Sequence, residues 1–199
     1  MIGPIVLGVA LLYFLISFAI VRVAIGYARK NGKSTKHWGW GAALVMYMIP
    51  FWDWIPTVVT HQFYCAKDSG FWVYKTLDQW KAENPGVMET LVANKGYPSS
   101  HEGDTANYTT TNFLNSRFNL VVKQRGPLFL HRWLREDSLI DAKTNETLAR
   151  YVDFSTSHVR GQAGWSGWKF WLHSRDCIGG LDKAIESGNF MNQFRGAEK

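Results

Sequence analysis

From Ile2 to Ala28 the chain is apolar apart from Arg22 and the small Ser17. A helix of about 20 apolar residues crosses a bilayer core, and this run exceeds that length. Backbone amides left unpaired in lipid are costly, so helix is the expected form. Arg22 lies near the carboxyl end of the run, where a long basic side chain reaches the headgroups. A cleaved signal peptide would place basic residues before a shorter apolar region. Here the start is Met-Ile-Gly-Pro and the charges follow the run. A retained transmembrane helix over about residues 2–28 is therefore expected. A buried soluble helix fits less well, because no polar face recurs at helical spacing.

The next residues, 29–37, carry Arg29, Lys30, Lys33 and Lys36 with no acid. Short loops dense in Lys and Arg stay on the cytoplasmic side. The first helix would then run with its amino terminus outside.

A second apolar segment, residues 38–59, is about 33 Å long if fully helical. Trp38 and Trp40 stand at its start and Trp52 and Trp54 near its end, as membrane-interface aromatic belts do. Pro50 and Pro56 bend or end helices, and Asp53 is the one acid. Two placements accommodate Asp53. It sits at the outer headgroup level among the tryptophans, or it lies within the membrane and pairs with a basic group such as Arg22. The interface placement is the expectation. An amphipathic helix on the inner surface is a third reading, but the run 41–49 shows no polar face. Domain boundaries follow: a transmembrane hairpin over 1–64, then an extracytoplasmic domain over 65–199.

Charge supports this division. The first 64 residues hold five Lys/Arg against Asp53 alone, so much of the net charge of +6 comes from one short loop. No basic cluster marks the remaining chain, and a nucleic-acid partner is not expected.

Beyond Cys65 the pattern shortens. Residues 65–70 read as a turn, 71–76 as a strand, 77–82 as a helical turn and 84–92 as a second short helix. The stretch 94–110, rich in Gly, Pro and Ser, reads as a long exposed loop. Strands are expected from Phe118, from Leu128 to Leu134 with Ser138–Ile140 as its extension, and from Thr147 to Phe154. A turn is placed at 125–127 and a hairpin loop at 141–146. Leu148, Val152 and Phe154 are assigned to one face. A last helix presents Leu181, Ala184 and Ile185 on one side and stops near Gly188. The expected fold is a membrane-anchored α+β protein: a two-helix hairpin, then a small antiparallel sheet with short helices.

Cys65 and Cys177 both fall on the outer, oxidising side of this topology. A disulfide is expected, the alternative being two buried thiols. Its closed loop is long, which in the chain-entropy model stabilises by about 4–5 kcal/mol. The six histidines show no paired ligand spacing, and two cysteines alone do not make a structural zinc site. No metal or cofactor is expected. His101, Glu102 and Asp104 gather acid/base groups on the 94–110 loop, but a solvated loop accounts for them. Neither a nucleophile-elbow nor a phosphate-loop motif occurs. Trp165, Trp168 and Trp171 form an aromatic cluster that fills a core or offers a ligand or partner surface.

Cys65-x-Lys67-Asp68-Ser69-Gly70, Tyr74, the hairpin from Ile140-Asp141 to Leu148-Ala149, and the late Cys177 resemble a loose group of uncharacterised bacterial envelope proteins. In that group a Cys-x-Lys-Asp-Gly-Gly stretch opens a small extracytoplasmic domain and a later cysteine closes it. Ser69 replaces the first glycine here, and the tail after Cys177 is longer. The resemblance spans about a third of the chain and implies compartment and disulfide, without an activity. The expected role is a non-catalytic inner-membrane accessory or assembly protein of a bacterial envelope complex, encoded by a bacterium, a phage or another mobile element. Its partners would be the lipid bilayer and a membrane protein, with both termini on the periplasmic side. The alternatives are a periplasmic enzyme using the 94–110 loop, or a glycan-binding module using the Trp165–Trp171 cluster.

Overall fold

A computed structural model of the protein describes residues 2–96, 98–157, 169–174, 176–177 and 180–197. The chain forms two compact units, Met1–Pro56 and Thr57–Lys199.

The first unit holds α1 (Ile2–Lys30) and α2 (Thr35–Phe51). Within α1, Leu7–Lys30 is long and apolar enough to cross a membrane. Its Leu11, Leu12, Phe14, Leu15 and Phe18 are exposed. The two helices run antiparallel. The Tyr13 hydroxyl donates to the Met46 carbonyl, and at the other end the Tyr27 and Trp38 rings lie 5.2 Å apart. Gly39 permits the approach, since a Cβ there would stand 3.2 Å from Ile25; small residues at helix contacts commonly serve this purpose. The Lys33 ammonium caps the turn, 5.0 Å from the Trp38 ring.

Residues 38–59 do not form one helix. α2 stops at Phe51, after its internal Pro50, and a new helix, α3, runs Trp54–Asp68. Proline removes an amide donor and crowds the turn before it, so Pro56, in the first turn of α3, disfavours a helix continuing through Trp52–Asp53. α3 also carries Cys65 inside a helix, where a turn was expected. The division between the two compact units falls at Pro56/Thr57, within α3.

The second unit is built on a six-stranded antiparallel sheet of order β1-β6-β5-β4-β3-β2. The strands are β1 (Gly70–Val73), β2 (Ser99–Gly103), β3 (Tyr108–Phe113), β4 (Phe118–Leu128), β5 (Arg132–Asp141) and β6 (Glu146–Thr156). Helix α4 (Leu77–Glu83) starts with a capping box between Thr76 and Gln79. Helix α5 (Gly180–Asn192) packs on the sheet. Trp80, Phe118 and Phe194 centre the main core, with ring centroids 4.8 Å and 5.0 Å apart along that series. Leu91, Leu114, Leu139, Leu148, Ala149, Tyr151 and Met191 pack with them.

Several expectations change. The 94–110 stretch supplies β2 and the start of β3, because Tyr108–Thr110 and the residues after them pair with β4. Its turn uses Gly103 at φ +109°. The region 84–92 is a short 3-10 turn, Met88–Thr90, not a helix. Residues 125–127 form an irregularity within β4, and the second strand begins only at Arg132 after a 3-10 turn at 129–131. A register shift between Leu139 and Ile140 bulges β6, so Leu148 joins the main core while Val152 and Phe154 face the other side of the sheet. Helix α5 continues through Gly188. It buries Ser187 and Met191 and, of the expected face, packs Ala184 on the core while Leu181 and Ile185 are exposed.

Candidate functional site

Two features of the second unit bring chemistry-bearing side chains together, and they share Asp153.

The first is the disulfide junction. Cys65 on α3 and Cys177 are joined with an S–S distance of 2.05 Å and Cα atoms 5.2 Å apart. His61, one helical turn before Cys65, places Nε2 3.2 Å from the Phe154 carbonyl and 3.5 Å from Cys65 Sγ. The Tyr64 ring lies 5.6 Å from the Phe154 ring at a tilt of 42°, and the Arg132 guanidinium lies 3.5 Å from the Tyr64 ring centroid. This cluster covers the sheet face carrying Val152 and Phe154. His61, Cys65 and Cys177 hold ligand-type atoms within 4.8 Å of one another. With the sulfurs bonded to each other neither is a thiolate, and thiolate is the ligand form.

The second is a cleft of about 400 Å³ between α5 and the opposite sheet face, within the usual range for small-ligand pockets, roughly 300–1,000 Å³. Strand register explains its composition. Three cross-strand rows lie on this face: Leu120–Leu139–Ala149, then Val122–Asp137–Tyr151, then Gln124–Arg135–Asp153. The first row joins the apolar core; the other two turn progressively polar. On the α5 side the cleft runs along Ala184, Gly188 and Met191.

The polar groups are mostly committed to one another. Arg135 grips Asp137 with two bonds, Nε to Oδ1 at 3.0 Å and Nη2 to Oδ2 at 2.8 Å. That hydrogen bond, against the opposing effect of burial, raises the guanidinium further above its ordinary value. The Tyr151 hydroxyl donates to Asp153 Oδ2 at 2.9 Å. Burial, then this bond to a carboxylate, push the phenol well above its usual range, so it stays protonated. Asp153 Oδ1 accepts the amides of Phe154 at 2.8 Å and Cys177 at 3.1 Å. The disulfide therefore pins the segment that carries Asp176 to the cleft rim. Burial and the nearby Asp153 charge raise the Asp176 carboxyl, with Arg135 and His173 acting in the other direction.

His101 and Glu102, singled out in the sequence, stand on the exposed edge strand β2, and neither lines the cleft. His101 Nδ1 is 3.0 Å from the Thr110 hydroxyl. Asp104 accepts the Asn107 and Ala106 amides, which hold its carboxyl below the usual range. Trp38, Trp40, Trp52 and Trp54 are exposed, whereas Asp53 among them is fully buried. Trp171 lies in a 3-10 turn, Phe170–Leu172; Trp165 and Trp168 fall outside the described residues. The cleft residues escaped the sequence reading, though one signal was present. Arg135-x-Asp137 on β5 and Tyr151-x-Asp153 on β6 put polar groups at period two, on one face of each strand.

No family model, curated protein or solved structure matches this chain.

Proposed function

We propose that this chain is a non-catalytic, membrane-anchored accessory or assembly protein of a bacterial envelope complex. In this reading α1 and the segment 38–59 cross the inner membrane as a two-helix hairpin around a cytoplasmic loop 29–37. The remaining domain stands on the periplasmic side. One observation carries the reading: the apolar, outward-facing α1 belongs to the same chain as a domain closed by a disulfide. Exposed apolar surface of that extent requires lipid or a protein partner, and disulfides persist in oxidising compartments. At 17 residues, α2 spans about 25 Å, short of a bilayer core of about 30 Å. The crossing therefore takes in Trp52 and Asp53, with Asp53 shielded by protein instead of exposed to lipid.

A phosphatase reporter fused after Gly70 tests the topology. It is expected to be active, and a cytoplasmic reporter at the same site silent; the reverse pattern would sink the reading. For the role, the intact protein extracted from native membranes in mild detergent is expected to bring down an envelope membrane protein. Recovery as a lone species would count against an assembly role.

A further inference from the structure

We propose that the domain itself docks on a lipid surface with anionic headgroups, through the outer face of α3 from Val59 onward and the turn between β4 and β5. The inference rests on the anchoring reading and deepens it, adding a lipid contact that a crossing by α1 does not require.

Helix α3 is polar towards the protein and apolar away from it. Ile55, Val59 and Phe63 recur every four residues and are 57%, 60% and 57% exposed. At 3.6 residues per turn Gln62 and Ala66 share that face, and both are exposed. The opposite face carries Thr57, His61, Tyr64 and, by the same spacing, Asp68. Thr57 and His61 are buried. His61 Nε2 lies 3.2 Å from the Phe154 carbonyl, and the Tyr64 ring 5.6 Å from the Phe154 ring. A helix on a domain surrounded by water turns its apolar stripe to the core. This one turns it outward, as a helix bedded in a lipid interface does.

The turn between β4 and β5 stands at the same end of the sheet. From His61, beside Phe154, α3 leads on to β1, which pairs with β6 from Val152 to Ala149. The start of α3 therefore points to the other end of β6, where Thr156 pairs with Arg132. Phe129, in the turn just before Arg132, is 81% exposed.

Charge selects the kind of lipid. The Arg132 guanidinium lies 3.5 Å from the Tyr64 ring centroid, and the Lys67 ammonium 5.6 Å from that of Phe63. The two rings are 5.7 Å apart, so a cation stands at each side of the aromatic pair. Among the described residues neither cation pairs with a carboxylate, and Arg132 Nε is buried with no hydrogen-bond partner. Unpaired cations beside an outward apolar face, with Asp68 turned to the other side, complement the phosphates of anionic lipids.

The test uses the full chain in phosphatidylcholine nanodiscs, with or without phosphatidylglycerol. A nitroxide is attached through Phe63→Cys, Phe129→Cys or, as the anchor's own reporter, Leu15→Cys. Collisions with oxygen, which concentrates in lipid, are compared with collisions with a water-soluble nickel chelate. With phosphatidylglycerol present, labels at 63 and 129 are expected to favour oxygen, as the label at 15 does. Arg132→Gln and Lys67→Gln should each lower the docked-to-free ratio about fivefold and leave the label at 15 unchanged. A label at 15 in lipid with those at 63 and 129 in water would overturn the proposal and leave the anchor standing. A label at 15 in water would overturn the anchor, and the proposal with it. Labels at 63 and 129 screened from both reagents, or broadened by a second nitroxide, would assign the face to another copy of the chain and overturn the lipid surface. Equal docking without phosphatidylglycerol would overturn the anionic headgroup.

Discussion

Arg117 and Asp141 form an ion pair at 2.7 Å, with the carboxylate side chain only 1% exposed. The pair ties the residue before β4 to the last residue of β5. Asp141 also accepts the Trp80 indole N–H at 2.9 Å and the Lys143 amide at 2.9 Å. One carboxylate thus joins a helix, a strand end and a hairpin turn. Removing one partner of a buried pair leaves the other uncompensated, which costs about 3–5 kcal/mol. Asp141→Asn keeps the shape and loses the charge, so a loss of about 3 kcal/mol is expected by that rule, read from urea unfolding of the full chain in detergent.

The same residue sets an acid response. Burial acts to raise the Asp141 carboxyl, but hydrogen bonds from Arg117, Trp80 and the Lys143 amide, together with the Arg117 charge, leave it below its ordinary value of 3.8. A depressed folded-state value contributes stability above the unfolded value, and that contribution disappears as pH falls through the folded one. Wild type should therefore lose its advantage over Asp141→Asn below about pH 4. Unfolding midpoints at pH 7 and pH 3 check this; an unchanged gap between the two proteins would refute it.

The disulfide joins residues separated by 112 positions. In the chain-entropy model a loop of that length stabilises by about 4–5 kcal/mol. Reduction with dithiothreitol, or the double change Cys65→Ser/Cys177→Ser, should lower the unfolding free energy of the domain by about that amount. The two treatments should agree, and reductant should not shift the double variant.

Gly103 occupies φ +109°, and a Cβ there would sit 2.2 Å from the Asn107 carbonyl oxygen. Gly103→Ala should cost about 1–3 kcal/mol, the range for strained backbone, with the damage confined to the β2–β3 edge. Hydrogen exchange is expected to lose protection at Thr109–Thr111 while β5 and β6 stay protected.

Helix α5 offers an internal control. Met191 is 5% exposed and Leu181 73%. Met191→Ala should cost about 2–5 kcal/mol, and Leu181→Ala no more than about 0.5 kcal/mol. Comparable losses at both positions would mean that α5 packs through another face.

Where a pattern in the chain depends on local chemistry, sequence and structure agree. The apolar run of α1, the strand formers at 71–73 and 118–122, the hairpin at 141–146 and the pairing potential of Cys65 and Cys177 are examples. Hydrophobicity and turn propensity act over a few residues, so they show in a single sequence. The 94–110 stretch is different. Its Gly, Asp and Asn residues disfavour strands and mask the preference of Tyr108, Thr109 and Thr110, which pair only because β4 offers them an edge.

The cleft belongs wholly to the tertiary level. Its Gln124, Arg135 and Asp153 lie on three strands and meet because register sets them in one row. The bulge in β6 was equally invisible, and it decides which of Leu148 and Val152 faces which side. By itself the sequence determined an apolar helix long enough for a bilayer and a mixed α+β domain with two cysteines in it. Only the tertiary structure decided that the second apolar segment breaks at Trp52–Asp53, that Asp53 is buried, and that three aspartates share one cleft. The reason is physical: burial and charge proximity are sums over residues far apart in the chain, and the folded register sets their terms.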